Sequence, residues 1–424
     1  MKSVRLKRIT GTICFILLFC FVFHCVAHFM ERKDSMEQFS EFWSDPAGYD
    51  VWFLGNSHMY RGVLPMELWK ENEIRSYVLA SSGCRPSQMY WTLVNALDYA
   101  KPSVLVIDCY HIQHDLKIQE AGDGRQQMHN GFDAIPLSAN KIRAVMDLFD
   151  TTEERLEYLF PFSVYHNRWE EIERGDFSPN YTVQKGCKIS TVVKDLSGYK
   201  LIDESDMIAE ETIGYLYMRK IIELCQANDI AVILEALPCC KGKEIQRALN
   251  GVARLSTEYG VPFLNMSYDD TLRIDYQTDF KDVGHLNLSG QRKTSKYIGQ
   301  YLNDHFQFSK NSLPEREIAK WDNDYLAYTE KKAAWLRGQT RLSAYLMWLG
   351  DEGFTCEIYQ KEGTSPTPAV SKLLDAVSEK QFIGKEEAAA QIGGNFDGDY
   401  AFIVRHAATG ELVDTAIFEL EKRK

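Results

Sequence analysis

From Tyr49 onward, the sequence alternates strand-length apolar runs with helix-length segments, and this alternation restricts the possible folds more than any other feature. The apolar runs are DVWFLG, IRSYVLAS, PSVLVIDCY, IAVILEALP and VPFLNM, and amphipathic stretches such as SQMYWTLVNALDYA lie between them. Continuous apolar strands separated by helices are typical of a parallel sheet that is covered on both faces. The sequence therefore predicts an α/β core.

A polar tetrapeptide, Gly55-Asn56-Ser57-His58, directly follows the first of these strands. One interpretation is structural, because Gly-Asn favours a turn and a serine often caps the helix that follows. The other is catalytic, because a serine on a strand-to-helix turn exposes its hydroxyl and can act as a nucleophile. The catalytic interpretation requires a histidine elsewhere that accepts the serine proton and is itself oriented by a carboxylate.

The segment DFKDVGHLNLSG, far along the chain, supplies such a pair. Asp282 precedes His285 by three residues, and both lie in a predicted loop that leads into an amphipathic helix. One short loop can then present both the base and the carboxylate that orients it. A structural role for His285, with its ring bonded to a backbone carbonyl, is the alternative.

The pair GNSH at 55–58 and DVGH at 282–285 resembles the SGNH (GDSL-like) hydrolase superfamily over roughly residues 49–305. Within it, the chain is most similar to the membrane-anchored bacterial branch near the teichoic-acid D-alanylation and exopolysaccharide O-acetylation proteins. The resemblance implies a flavodoxin-like parallel sheet and no cofactor. It also implies that Ser57 is the nucleophile, that His285 is the general base and that Asp282 holds the imidazole.

The same resemblance implies an oxyanion hole built from the backbone N–H groups of Ser57 and Gly83, with Ser82 as a lesser candidate. The sequence departs from the family at the third motif, where VIDCYHIQHD replaces G-x-N-D and the expected asparagine donor is missing. Substitutes are predicted on that loop or in the inserted segment YHNRW, namely His111, His166, Asn167 and Arg168. We expect no metal site, although His111 and His114 are spaced as H-x-x-H, because no carboxylate pattern accompanies them.

The first thirty residues predict a membrane segment. MKSVRLKR carries a cluster of positive charge, and the following stretch is apolar over a length that can cross a bilayer. The positive-inside rule places the remainder of the chain outside the cytoplasm, which predicts a single-pass cell-membrane protein with an extracytoplasmic catalytic domain. A cleaved signal peptide is the alternative.

The chain is predicted to have several parts beyond the α/β core. The net charge of −12 argues against a nucleic-acid partner. The strand-like runs SAYLMWLG and FTCEIYQ, a helix at PAVSKLLDAVSE and a terminal hairpin predict a small, separable α+β domain. The predicted parts are a basic cytoplasmic segment (1–8), an anchor (9–29), a stem (30–48), the catalytic domain (49–308) with an insertion at about 115–200, a linking helix (309–339) and the accessory domain (340–424).

Together these features predict a membrane-anchored serine esterase or acyltransferase. Its substrates would be acyl esters, acetyl esters above all, of cell-envelope or secreted polysaccharide, or small esters, and a membrane acyltransferase is a candidate partner. The sequence does not separate hydrolysis from acyl transfer. The alternative function is a catalytically inactive SGNH-like module that binds a glycan or a partner membrane protein.

Overall fold

The computed structural model describes most of the chain. The described residues are 2–30, 39, 41–118, 128–129, 131–172, 183–202, 211–377 and 379–424. The predicted stem and the predicted insertion therefore lie partly outside the described residues.

Five parallel strands form the central sheet, in the order β2-β1-β3-β4-β5. This order is that of flavodoxin-like folds, in which ligands bind at the carboxyl ends of the strands where the order reverses, between β1 and β3. The predicted parallel α/β sheet is thus confirmed, and each of its strands falls within a run predicted from the sequence. The strands are β1 (Val51–Gly55), β2 (Ser76–Ala80), β3 (Val104–Asp108), β4 (Ala231–Ala236) and β5 (Phe263–Asn265).

Helices cover both faces of this sheet. Those up to the last strand of the sheet are α1 (Lys2–Met30), α2 (Ser57–Tyr60), α3 (Pro65–Asn72), α4 (Pro86–Ala96), α5 (Ala139–Leu148), α6 (Thr152–Leu159), α7 (Phe162–Tyr165), α8 (Ile213–Ala227) and α9 (Lys243–Tyr259). Those that follow are α10 (Leu288–His305), α11 (Glu315–Arg337), α12 (Leu342–Leu349), α13 (Pro368–Asp375) and α14 (Lys385–Ile392). Helix α1 contains a span, Arg5–Ala27, that is long and apolar enough to cross a membrane, a test that a signal sequence also passes.

Alternate side chains of β1 enter two separate apolar clusters, as the pleat of a strand requires. Val51 and Phe53 pack in the first cluster, together with side chains of α10. Trp52 and Leu54 pack in the second cluster, together with side chains of α4, α8 and α9. Because both faces of the strand are buried, every residue of β1 must be apolar or very small, which explains the run VWFLG.

A second sheet follows the α/β core, in the order β10-β9-β8-β6-β7. Its hairpin of β8 and β9 was predicted from the sequence, whereas the predicted strand SAYLMWLG is wrong, since this segment forms α12. Nearly every side chain of α12 is buried, so no polar face was present to reveal the helical period. The strands are β6 (Phe354–Gln360), β7 (Glu379–Phe382), β8 (Tyr400–His406), β9 (Leu412–Glu419) and β10 (Lys422–Arg423).

The C-terminal sheet shares its core with the α/β sheet. Tyr345 and Trp348 of α12 and Phe402 of β8 belong to the same apolar cluster as Phe53 of β1. A buried ion-pair group also joins the two parts, because Lys332 contacts Asp351 at 2.8 Å and Glu67 of α3 at 3.4 Å. This packing argues against the expectation that residues 340–424 can be removed without harm.

We expect a chain truncated after residue 310 to lose its cooperative thermal transition. Removing a single large buried side chain lowers the free energy of unfolding by about 2–5 kcal/mol. Several such losses exceed the ~5–15 kcal/mol that stabilises a domain. Thermal melting followed by circular dichroism measures the outcome, with Leu420→Ser as the control because Leu420 is exposed. A truncated protein that melts cooperatively near the full-length temperature would restore the separable-domain interpretation.

Candidate active site

The glycine that ends β1 is required by close packing. A Cβ atom at Gly55 would lie 2.7 Å from the Cβ of Asp108 and 2.7 Å from the Cβ of Met59. Real Cβ contacts are never this short, so only glycine lets the ends of β1 and β3 approach each other. The carboxylate of Asp108 in turn accepts hydrogen bonds from the backbone N–H groups of Asn56, at 3.4 Å, and Tyr110, at 2.8 Å.

Asn56, and not Ser57, caps the helix after β1. The Asn56 Oδ1 atom accepts from the N–H of His58 at 2.8 Å, which satisfies one of the free donors at the start of α2. Ser57 is the first residue of α2, and its hydroxyl bonds elsewhere. The interpretation of Ser57 as a helix cap is therefore wrong.

Ser57, His285 and Asp282 form a continuous hydrogen-bonded chain. Ser57 Oγ lies 2.7 Å from His285 Nε2, and His285 Nδ1 lies 2.8 Å from Asp282 Oδ1. The serine stands at the carboxyl end of β1, while the other two residues lie in the loop between β5 and α10. The structure thus brings Ser57 together with two side chains that lie more than two hundred positions further along the sequence, in the order that activates a serine.

The electrostatics of this chain leave the imidazole neutral at pH 7. Burial lowers the pKa of His285 below its ordinary value, although Asp282 opposes this shift. Burial of the Asp282 carboxyl would raise its pKa, but the hydrogen bond from Gly284 N–H and the interaction with His285 outweigh it, so its pKa is lowered. A neutral imidazole beside an ionised carboxylate is the arrangement that a general base needs.

Two backbone donors are available for an oxyanion beside Ser57. The N–H groups of Ser57 and Gly83 have no acceptor among the described residues. Gly83 has a φ of +66°, a left-handed conformation that suits glycine, in a turn that Cys84 N closes on Ser81 O at 3.2 Å. Ser82 lies in the same turn between β2 and α4, and no contact described for it involves the triad.

His111 occupies the loop that lacks the asparagine of the family motif. Its Nδ1 atom lies 3.2 Å from Arg85 Nη1 and 3.1 Å from His114 Nε2. An arginine can only donate, so Nδ1 is the accepting atom, and the ring proton of His111 is on Nε2. Burial, aided by Arg85, lowers the pKa of His111 to about 3, which leaves a neutral imidazole with a free Nε2–H donor.

The contacts described for His166, Asn167 and Arg168 do not involve the triad. His166 Nδ1 bonds to Ser163 O at 2.8 Å on an exposed surface, and Arg168 Nη1 donates to Met30 O at the end of α1. Asn167 lies between them and precedes a short 3₁₀ turn. Of the predicted substitutes for the missing asparagine, His111 is therefore the one that the structure places on a loop beside Ser57.

Three residues near the triad were not predicted from the sequence, namely His58, Tyr110 and Arg85. The ring of His58 stacks on Tyr110 at 3.7 Å and lies 5.3 Å from the ring of His285. Burial lowers the pKa of His58 well below its ordinary value, so this ring is neutral. Arg85 lies on the other side of His111. Only the tertiary structure brings these side chains together, although the arginine in GCRP, just before a predicted helix, was a visible signal.

A cleft with a volume of about 850 Å³ lies away from the triad, between helices α3, α10 and α11 and the loop after β8. No triad residue lines it. A large cavity alone would therefore have directed attention away from the chemically competent residues.

Comparisons with known proteins give no family assignment. No protein-family model matches the chain, and no curated protein matches it. Among solved structures, it is similar to a candidate acylhydrolase from Bacteroides fragilis, with 14% identity, a TM-score of 0.30 and coverage of 61% of this chain and 88% of that one. It is also similar to a GDSL-like lipase from Bacteroides thetaiotaomicron, with 14% identity, a TM-score of 0.32 and coverage of 63% and 98%. The functional argument rests on the site geometry, since likenesses this weak carry no argument.

Proposed function

We propose that the protein is a membrane-anchored SGNH-type serine enzyme that breaks acyl esters, acetyl esters above all, of cell-envelope or secreted polysaccharide. The observation that carries the proposal is the hydrogen-bonded chain from Ser57 Oγ through His285 to Asp282, at 2.7 and 2.8 Å. Its position at the carboxyl end of β1, at the reversal point of the sheet, is where α/β folds of this order bind ligands.

In the proposed reaction, Ser57 Oγ attacks the ester carbonyl carbon while His285 Nε2 takes the hydroxyl proton. Asp282 accepts the hydrogen bond from His285 Nδ1 and stabilises the imidazolium that forms. The N–H groups of Ser57 and Gly83, together with His111 Nε2–H, donate to the developing oxyanion. His285 then protonates the leaving alcohol as the carbon–oxygen bond breaks, which leaves an acyl-Ser57 intermediate.

The acceptor of the second step decides between hydrolysis and acyl transfer. His285 takes a proton from water or from a sugar hydroxyl as the acceptor oxygen bonds to the acyl carbon, and it returns this proton to Ser57 Oγ as the bond between Oγ and the acyl carbon breaks. Both outcomes use the same residues, so the proposal concerns the acyl-Ser57 enzyme and includes both acceptors. The helix α1 supports placement at a membrane, where a polymer of the cell envelope is within reach.

Rapid quenching of the full-length protein with 4-nitrophenyl acetate tests the proposal. We expect a burst of nitrophenol and one acetyl group on the peptide that contains Ser57, found by mass spectrometry. Adding a methyl glycoside during turnover separates the outcomes, because acetylated glycoside indicates transfer and free acetate indicates hydrolysis. An acetyl group confined to other residues, with no burst, would contradict the proposed chemistry and favour the inactive binding module.

A further inference from the structure

Arg85 is a buried cation at the start of α4. It is 8% exposed and forms the N-cap of that eleven-residue helix, two positions after Gly83. The helix N-terminus adds positive potential at the same place, since its first N–H groups point outward along the axis. This part of the molecule therefore concentrates positive charge away from water.

The guanidinium of Arg85 has no carboxylate partner among the described residues. Its Nη1 atom donates to His111 Nδ1 at 3.2 Å, whereas its Nε atom is buried without any partner. The buried cations Lys332 and Lys185 differ, because each contacts two carboxylates. An unpaired buried charge costs several kcal/mol, and a ligand that supplies the opposite charge would offset this cost.

The neighbouring rings cannot compensate this charge. His111 and His114 are the titratable side chains in contact along the Arg85 hydrogen-bond chain, and an imidazole is neutral or positive. Burial and the nearby arginine lower the pKa of His114 to about 4, so that ring is neutral as well. The cluster therefore has a net positive charge at neutral pH.

Arg85 lies close to the reacting serine. It belongs to the loop after β2, and its partner His111 belongs to the loop after β3. Since β1 lies between these two strands, the Arg85–His111 hydrogen bond joins the loops on either side of the strand that leads into Ser57. A group bound by Arg85 would therefore lie at the same edge of the sheet as an ester carbonyl placed at Ser57.

We propose that Arg85 binds an oxyanion group, a carboxylate or a phosphate, that the substrate carries next to its acyl ester. The inference rests on the proposed function and narrows its substrate class to anionic polymers. The Nε and Nη2 atoms form the edge of the guanidinium that is not used by His111, and two parallel N–H donors match the two oxygens of such a group. Neutral polysaccharides would leave this edge unpaired.

The test compares matched anionic and neutral acetyl esters in the full-length protein. Acetylated methyl glucuronide against acetylated methyl glucoside tests for a carboxylate. Acetylglycerol 3-phosphate against acetylglycerol tests for a phosphate. We expect kcat/KM to be about 10- to 100-fold higher for one anionic ester, as a charged hydrogen bond contributes. Arg85→Gln should reduce this ratio to near one, Arg85→Lys should keep part of it, and the exposed Arg254→Gln should keep all of it.

Two results would overturn the inference. One is a ratio near one in the wild-type protein for both pairs. The other is an equal loss on anionic and neutral esters in Arg85→Gln, which would indicate an oxyanion donor or a structural residue. If no ester is hydrolysed, calorimetry with Ser57→Ala decides. Binding of glucuronate or glycerol 3-phosphate that Arg85→Gln abolishes would support the anion site, although the proposed enzymatic function would then fail. Absence of binding would overturn the inference.

Discussion

Replacing Ser57 with alanine is expected to lower kcat for small acetyl esters by roughly 10⁶-fold, to the level of the uncatalysed background plus binding effects. The hydroxyl is the atom that forms the acyl intermediate, so no other group of the site can take its place. Turnover of 4-nitrophenyl acetate and labelling by a fluorophosphonate probe measure the two consequences together. Turnover and labelling should both disappear. The thermal transition should stay, because Ser57 Oγ contributes one hydrogen bond at the end of the sheet.

Ser163→Ala is the matched control for that experiment. Ser163 is exposed, its hydroxyl bonds to Phe160 O, and it lies in the inserted segment. The Ser163→Ala variant should keep wild-type turnover and labelling. Turnover that persists in Ser57→Ala, with the probe bound at a different peptide, would move the active site elsewhere in the molecule.

The second large effect is expected for Asp282→Asn, with a loss of roughly 10⁴-fold in kcat. The amide can present its N–H₂ group to His285 Nδ1, which favours the ring tautomer whose proton is on Nε2 and so removes the acceptor that Ser57 needs. The loss is smaller than for Ser57→Ala, because a fraction of correctly oriented imidazole remains. Asp270→Asn, which changes an exposed carboxylate, serves as the control.

The pH profile gives an independent readout of the same variant. In the wild-type protein burial lowers the pKa of His285 below its ordinary value, so the decline of kcat/KM as the imidazole is protonated should occur at a lower pH than for an unperturbed histidine. Asp282 raises this pKa, so its neutralisation should move the acid limb to still lower pH. An unchanged limb with the same rate loss would mean that Asp282 does not interact with the base.

The α/β fold was largely predictable because its signal is local. Each strand of the central sheet is a short apolar run, and burial on both faces requires this composition. Ser57, Asp282 and His285 were predicted from the motifs GNSH and DVGH and from the SGNH resemblance that these motifs carry. Tertiary contacts could not be predicted in this way, and so the shared core of the two sheets and the Arg85–His111 contact had no sequence signature.

The error at SAYLMWLG has a definite physical cause. A helix that is buried on all sides has no hydrophobic period, and eight apolar or aromatic residues then match a strand equally well. The prediction that the C-terminal part is separable rested on a different argument, namely that the α/β pattern is already complete at the helix after His285. Burial of Tyr345 and Trp348 against the cluster that contains Phe53 is a property of the folded chain alone.

The shared core has a consequence for the order of events during synthesis. Phe53 is made well before Phe402 and Phe418, which pack in the same cluster. At roughly 5–20 residues per second, the interval between His285 and Phe418 lasts on the order of ten seconds. The nascent chain therefore holds a complete set of reactive side chains while part of the apolar cluster on one face of the sheet is still uncovered, and in this interval a chaperone has apolar surface to bind.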